Sequence, residues 1–171
     1  MGNQQERSLS WFAGILDGEG SISVQVYTLP DGRVRLTPFV SIVNSDIGIL
    51  EGCREVLRDI GVKYRDCQKP LSYGEFKGRL DCKNIRIDGQ EPVEMVIKAV
   101  LPYLRSVKKQ YAAKILEYLE SRKLHGFSRD EKGRIRRCEY RRWEIELVCS
   151  IRTHKRAKSL ETILQAPNVL G

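Results

Sequence analysis

The stretch Phe12-Ala-Gly-Ile-Leu-Asp-Gly-Glu-Gly20 constrains this chain more than any other. An apolar run from Leu9 to Leu16, capped by Ser8 or Ser10 and stopped by Gly18 and Gly20, predicts a short helix. Gly14 and Gly18 are one turn apart and share a face beside Ala13. Glycine inside a helix costs about 1 kcal/mol relative to alanine, so two of them call for compensation. Close approach of a second helix supplies it; an ordinary buried helix with a Gly-rich C-cap is the alternative. Asp17 and Glu19 fall at the helix C-terminus, where the macrodipole disfavours carboxylates. A divalent cation would resolve that conflict. A calcium-binding EF-hand is excluded, because counting from Asp17 puts Ile22 and Thr28 where Gly and Glu are required.

At 171 residues and 41% hydrophobic content, the chain is long enough for one domain with a sizeable core. We expect a single domain over 1–171, with its core at about 9–123 and a basic loop and C-terminal helices over 124–171. Lys and Arg number 30 against 22 Asp and Glu, a net charge of +8, which suits a polyanionic partner or a solvated basic surface. No run approaches the roughly 18 apolar residues of a membrane span, and no secretory segment is visible. The expectation is an intracellular protein with no membrane partner, in a prokaryotic cytoplasm or an organelle. Cys53, Cys67, Cys82, Cys138 and Cys149 form no C-x-x-C pair, which argues against zinc and for buried thiols in a reducing compartment.

Beyond the first helix, Ser21–Tyr27 and Val34–Val43 alternate about the turn Pro30-Asp31-Gly32 and predict a β-hairpin. Ile22, Val24 and Val26 share one face with Val34, Leu36, Pro38, Val40 and Ile42. The other face carries Ser23, Gln25 and Tyr27 with Arg33, Arg35, Thr37, Phe39 and Ser41. Ile47–Ile60 reads as an amphipathic helix capped by Asn44, Ser45 or Asp46. A second hairpin is expected from Tyr64–Tyr73 and Phe76–Ile87, its polar face drawn from Tyr64, Asp66 and Gln68 with Lys77, Arg79, Asp81 and Lys83. Helices are expected at Pro92–Leu104, interrupted or ended near Pro102, and at Val107–Lys123, Trp143–Ile151 and Leu160–Gln165. The fold class is α+β, an antiparallel sheet covered by helices on one side. Its free face suits a DNA major groove, and equally a merely solvated surface. The late basic cluster, with Arg152, His154 and Lys155, reads as phosphate contacts or as solvated charge.

The nonapeptide resembles the LAGLIDADG motif of homing endonucleases, matching Ala13, Gly14, Asp17 and Gly20 outright, with Phe12, Ile15, Leu16, Gly18 and Glu19 as variants. The resemblance covers roughly Leu9 to Lys123 and implies an α-β-β-α-β-β-α fold with a saddle-shaped sheet on long DNA sites. It implies that Glu19, standing where the family has Asp, binds catalytic metal, with the Gly18 carbonyl as a secondary ligand. Mg²⁺ is the expected ion, and Mn²⁺ or Ca²⁺ are possible occupants. Asn44, in a segment similar to the family's strand ending before the next helix, is expected to order water. The stretch Pro102–Gln110 resembles an element carrying a basic residue near the scissile phosphates. The matching position here is Val107, so Lys108 is the expected cation, with Arg105 and Lys109 as rivals.

A single motif implies a homodimer, with Phe12, Ala13, Gly14, Asp17 and Gly18 at its interface and a pseudo-palindromic target. The resemblance therefore implies an intron-homing, site-specific double-strand DNA endonuclease that leaves short 3′ overhangs. A different class of protein, an intron splicing maturase or DNA-binding regulator that kept the scaffold without cutting, is the alternative.

Overall fold

A computed structural model describes residues 2–68, 83–129, 131–132, 135–151 and 159–170. The chain divides into two compact units, Met1–Ile22 with Phe39–Lys109, and Ser23–Pro38 with Gln110–Gly171.

In the first unit the motif helix α1 runs from Gly2 to Glu19, well before the expected start at Leu9. Ser8 is not a cap: its hydroxyl donates to the Gln4 carbonyl one turn back. Nothing in Gln4-Gln5-Glu6-Arg7 opposes a helix, so the apolar run marked the buried part of α1 rather than its beginning. Phe12, Ala13 and Leu16 are fully buried, and α1 packs against helices α2 (Ile47–Asp59) and α3 (Gln90–Val100). Asp46 caps α2, accepting a hydrogen bond from the Ile49 amide. Helix α3 begins at Gln90, two residues before Pro92, because the left-handed Gly89 (φ 100°) turns the chain there and Pro92 still falls in the first turn.

Strands β1 (Gly20–Thr28), β2 (Val34–Asn44), β3 (Arg65–Gln68) and β4 (Lys83–Asp88) form a four-stranded sheet in the order β1-β2-β4-β3. Its β2–β4 and β3–β4 pairs are antiparallel, and the architecture is the α+β one that the alternation predicts. Ile42 pairs with Ile85 and Val40 with Ile87, and these four side chains are fully buried. Each such isoleucine or valine contributes about 1.5–3 kcal/mol of burial. The turn of the first hairpin closes where predicted, with Gly32 at φ 81° and its amide on the Leu29 carbonyl.

The second unit holds helix α4 (Lys108–His125) from Gln110 onward, the hairpin β5 (Phe127–Arg129) and β6 (Ile135–Arg137), and β7 (Tyr140–Arg141). Helices α5 (Arg142–Ile151) and α6 (Leu160–Leu164) and strand β8 (Val169–Leu170) follow, with β8 parallel to β7. Its core contains Ile115, Leu119, Ile145, Val148, Ile151 and Ile163, all essentially inaccessible. Inside lies an ion pair. Arg122 donates to Glu144 at 3.3 Å, and Glu144 also accepts from the Ser121 hydroxyl at 2.7 Å and the Arg141 amide at 2.9 Å. The Arg122 guanidinium further reaches the carbonyls of Glu139, Cys138 and Gly126, and stands 4.5 Å over the Tyr140 ring. Burial beside this cluster pushes the Tyr118 hydroxyl well above its ordinary pKa. Among the described residues no helix is long and apolar enough to cross a membrane.

Candidate active site and nucleic-acid face

Glu19 is the last residue of α1 and Gly20 the first of β1, with no loop between them. A methyl at Gly20 would lie 2.7 Å from Leu16 Cα and 2.8 Å from its carbonyl oxygen, so only glycine lets the strand leave this close to the helix. The Glu19 side chain is exposed. Its Oε2 accepts a hydrogen bond from the Asn44 side-chain amide, while Asn44 Oδ1 accepts from the Asp46 amide at 2.8 Å. Asn44 itself is buried, at 9% exposure. Both ends of its amide are thus engaged, which fixes its orientation and, through it, that of the Glu19 carboxylate.

The other carboxylate of the motif points elsewhere. Asp17 accepts from the Arg105 amide at 2.7 Å, the Ser106 amide at 3.3 Å and the Ser106 hydroxyl at 2.5 Å, a latch to the segment preceding α4. Burial raises the Asp17 pKa, but these hydrogen bonds and the Lys108 charge outweigh it and hold the carboxyl below its ordinary value of 3.8. Lys108 completes the knot. Its ammonium donates to the Leu16 carbonyl at 2.7 Å and the Asp17 carbonyl at 2.8 Å. These are terminal carbonyls of a helix, where a cation offsets the macrodipole. Burial lowers the Lys108 pKa against the opposing pull of Asp17. Lys108, the cation expected near the phosphates, here places its ammonium on the end of α1. Val107, where a cation was sought, is 51% exposed.

A pH dependence follows from Asp17. Because its folded-state pKa lies below the unfolded one, the latch contributes stability above the unfolded value and loses it as pH falls through the folded value. In urea titrations the wild type should therefore exceed Asp17→Asn in stability at pH 6, the gap closing as the pH drops below about 4. A gap independent of pH would assign the loss to packing instead.

The glycine face of α1 is open. Gly14 and Gly18 are exposed, and a Cβ built at either meets nothing within 4 Å. Phe12 and Ala13, expected at a dimer interface, point the other way and are buried in the chain's own core. Their 0% exposure removes them from any contact between chains. Asp17 is half-buried and committed to Ser106.

On the sheet, Ser23 and Gln25 are half-buried, and Tyr27 and Arg35 exposed, on the strand positions alternating with the core. Thr37 and Phe39 are half-buried, and Ser41 is buried at 8% exposure rather than open. Arg33 lies in the turn just ahead of β2, its guanidinium 2.7 Å from Asp31. The second hairpin needs a correction. Asp66 pairs with Ile85, and Lys83 pairs with Asn44 and Gln68, so both share the strand parity of Ile85, and both are exposed. Asp66 is held there by Arg54 of α2 at 2.8 Å. Tyr64 precedes β3 and is half-buried. The outward positions belong instead to Arg65, Asn84, Arg86 and Asp88, none of them anticipated. Asp88 bridges Arg86 and Arg65, and the Arg86 guanidinium covers the Phe39 ring at 4.2 Å. Period-two alternation explains the reversal: Ile85 and Ile87 are buried, and Lys83 shares their parity. Lys77, Arg79, Asp81, Arg152, His154 and Lys155 lie outside the described residues.

No protein-family model matches the chain, and no curated protein matches it in sequence. Solved structures match over nearly its whole length. The homing endonuclease I-CvuI, in complex with its target in the presence of 2 mM Ca, is 13% identical with a TM-score of 0.67, over 96% of this chain and 94% of that one. The archaeal intron-encoded homing endonuclease I-Vdi141I complexed with DNA is 19% identical with a TM-score of 0.65, over 96% and 94%. The LAGLIDADG homing endonuclease I-SmaMI, bound to cleaved DNA, is 16% identical with a TM-score of 0.56, over 91% of this chain and 46% of that one. Strand order, the helix-to-strand junction at Glu19 and these similarities agree: the chain has the LAGLIDADG homing endonuclease fold.

Proposed function

We propose that this chain is a site-specific, metal-dependent DNA endonuclease that works as a homodimer on a long pseudo-palindromic duplex and leaves short 3′ overhangs. The observation that carries the reading is the exposed Glu19 carboxylate at the end of a helix whose glycine face is open. Solved proteins of the same fold include ones bound to DNA, both uncleaved and cleaved.

The donor chemistry fits a hard cation. Mg²⁺ takes one or two carboxylates and fills its shell with waters and substrate phosphates, so one carboxylate per chain is a suitable provision. Among the described residues no group of three His, Cys, Asp or Glu side chains forms a closed cage of the kind zinc prefers. Glu19 would hold the metal, with the Gly18 carbonyl as a second oxygen donor. When bound, Mg²⁺ neutralises phosphate charge and lowers the pKa of a water nucleophile. The chain's own residues then do the positioning. Asn44 aims Glu19, Lys108 offsets the negative helix end beneath it, and the Asp17 latch holds that end to Ser106. Gly14 and Gly18 admit a second α1, which brings two Glu19 carboxylates to one duplex, one for each strand. The +8 charge draws the polyanion.

Incubating the purified chain and Mg²⁺ with duplex carrying its gene's own insertion locus should give one double-strand cut. Binding without a cut in Mg²⁺ or Mn²⁺ returns the reading to a non-cleaving nucleic-acid-binding protein. The interface has its own test in Gly14→Leu. A Cβ at this position meets nothing in the single chain, and leucine gains about 0.5–1 kcal/mol of helix propensity yet keeps another helix away. Sedimentation should show monomer where the wild type is dimer, with the unfolding midpoint of the monomer unchanged or raised. A persistent dimer would move the interface off α1.

A further inference from the structure

We propose that Asn168, with Tyr140, is a positioning residue that sets which bases the β1–β2 hairpin reads. The β4 ladder accompanies β2 only from Asn44 back to Phe39, which pairs with Asp88, the last residue of β4. Nearer the turn, Val34 and Leu36 direct their peptide groups to one edge of β2, and an uncovered edge invites pairing with foreign strands. Here a side chain substitutes for the missing strand. The Val34 amide donates to Asn168 Oδ1 at 2.8 Å, and Asn168 Nδ2 donates back to the Val34 carbonyl at 2.9 Å. One step on, the Leu36 amide donates to the Tyr140 hydroxyl at 3.2 Å. The two are themselves joined, since the Tyr140 amide donates to the Asn168 carbonyl at 2.8 Å, just ahead of β8. Tyr140 is in turn pinned under the Arg122 guanidinium at 4.5 Å.

The residues clamped are the inward ones of the hairpin; those between and beside them, Arg33, Arg35 and Thr37, face away from the core. Because a strand is stiff over two residues, where Val34 and Leu36 sit decides where Arg35 points. Asn168 never has to touch DNA to affect its readout.

The proposal rests on the nuclease reading, and its test separates the two. Long randomised duplexes are selected for binding by the wild type, Arg35→Ala and Asn168→Ala, and the bound sequences are compared. The Arg35→Ala profile marks the base pairs that this hairpin reads. At those positions Asn168→Ala should relax a wild-type preference of about ten- to hundredfold to about threefold or less, leaving other positions unchanged. Asn168→Asp, which keeps the acceptor for Val34 and loses the donor, should fall between. In the free protein the Val34 amide should exchange about three- to tenfold faster in Asn168→Ala. A uniform loss of affinity with an unchanged base profile overturns the positioning role and leaves the nuclease reading standing. A wild type that selects no sequence overturns both.

Discussion

Replacing Glu144 with leucine is expected to lower the unfolding free energy by about 3–5 kcal/mol, among the largest effects available to a single substitution in this chain. Glu144 is fully buried and Arg122 only 4% exposed. Removing the carboxylate leaves a guanidinium inside the protein with only carbonyl dipoles and the Tyr140 ring as partners, and strips the Ser121 hydroxyl and Arg141 amide of their acceptor. Urea unfolding should show the midpoint falling with an unchanged slope. Adding Arg122→Met should restore part of that loss, because removing both charges of a buried pair is often close to neutral. Recovery will be incomplete, since Arg122 also serves the carbonyls of Glu139, Cys138 and Gly126. A loss below about 1 kcal/mol for Glu144→Leu would mean that the guanidinium finds compensation elsewhere.

Changing Glu19 to glutamine is expected to act on chemistry and leave folding alone. The substitution keeps an oxygen to accept from Asn44 and deletes only the negative charge. On the proposed function, cleavage should fall by about 10²–10³-fold or more while target affinity stays within about threefold. Asn44→Ala, which frees Glu19 to wander, should cost about 10–100-fold in cleavage, the range for groups that orient a metal ligand. The two effects should not add, because both act through one carboxylate. Unchanged cleavage by Glu19→Gln would remove Glu19 from the mechanism. Loss of binding together with cleavage would make it a structural residue.

Much of the fold was legible because its signals were local and redundant. The first hairpin announced itself through strict alternation and a Pro-Asp-Gly turn, and the helices α2 and α5 through apolar stripes. Legibility failed where one signal was asked to serve two strands. Lys83 looked like part of a polar face, but it shares the strand parity of Ile85 and Ile87, which are buried. The isoleucines were the stronger evidence, since burial is worth more than surface charge, and weighing them would have led to Arg65 and Arg86. At the motif, the sequence placed both carboxylates at the helix end, where the structure ties Asp17 to Ser106 and leaves Glu19 exposed. It could not assign Lys108, because whether an ammonium seeks a phosphate or a helix end depends on a contact 91 residues away. Strands β7 and β8, two residues each, carry no periodicity to read.

On the proposed function, the direct passage from Glu19 to Gly20 bears on how the protein could change its target. A loop at that point would act as a coupling with play in it, letting the strand shift to suit new bases while the carboxylate stayed put. There is no such play. An adjustment of β1 at its origin therefore falls next to Glu19, and the close approach of Gly20 to Leu16 denies the junction even a methyl group of tolerance. Variation compatible with activity is thereby pushed outward along the hairpin, away from the junction, and a lineage drifting toward a new site would be expected to accumulate its changes there first.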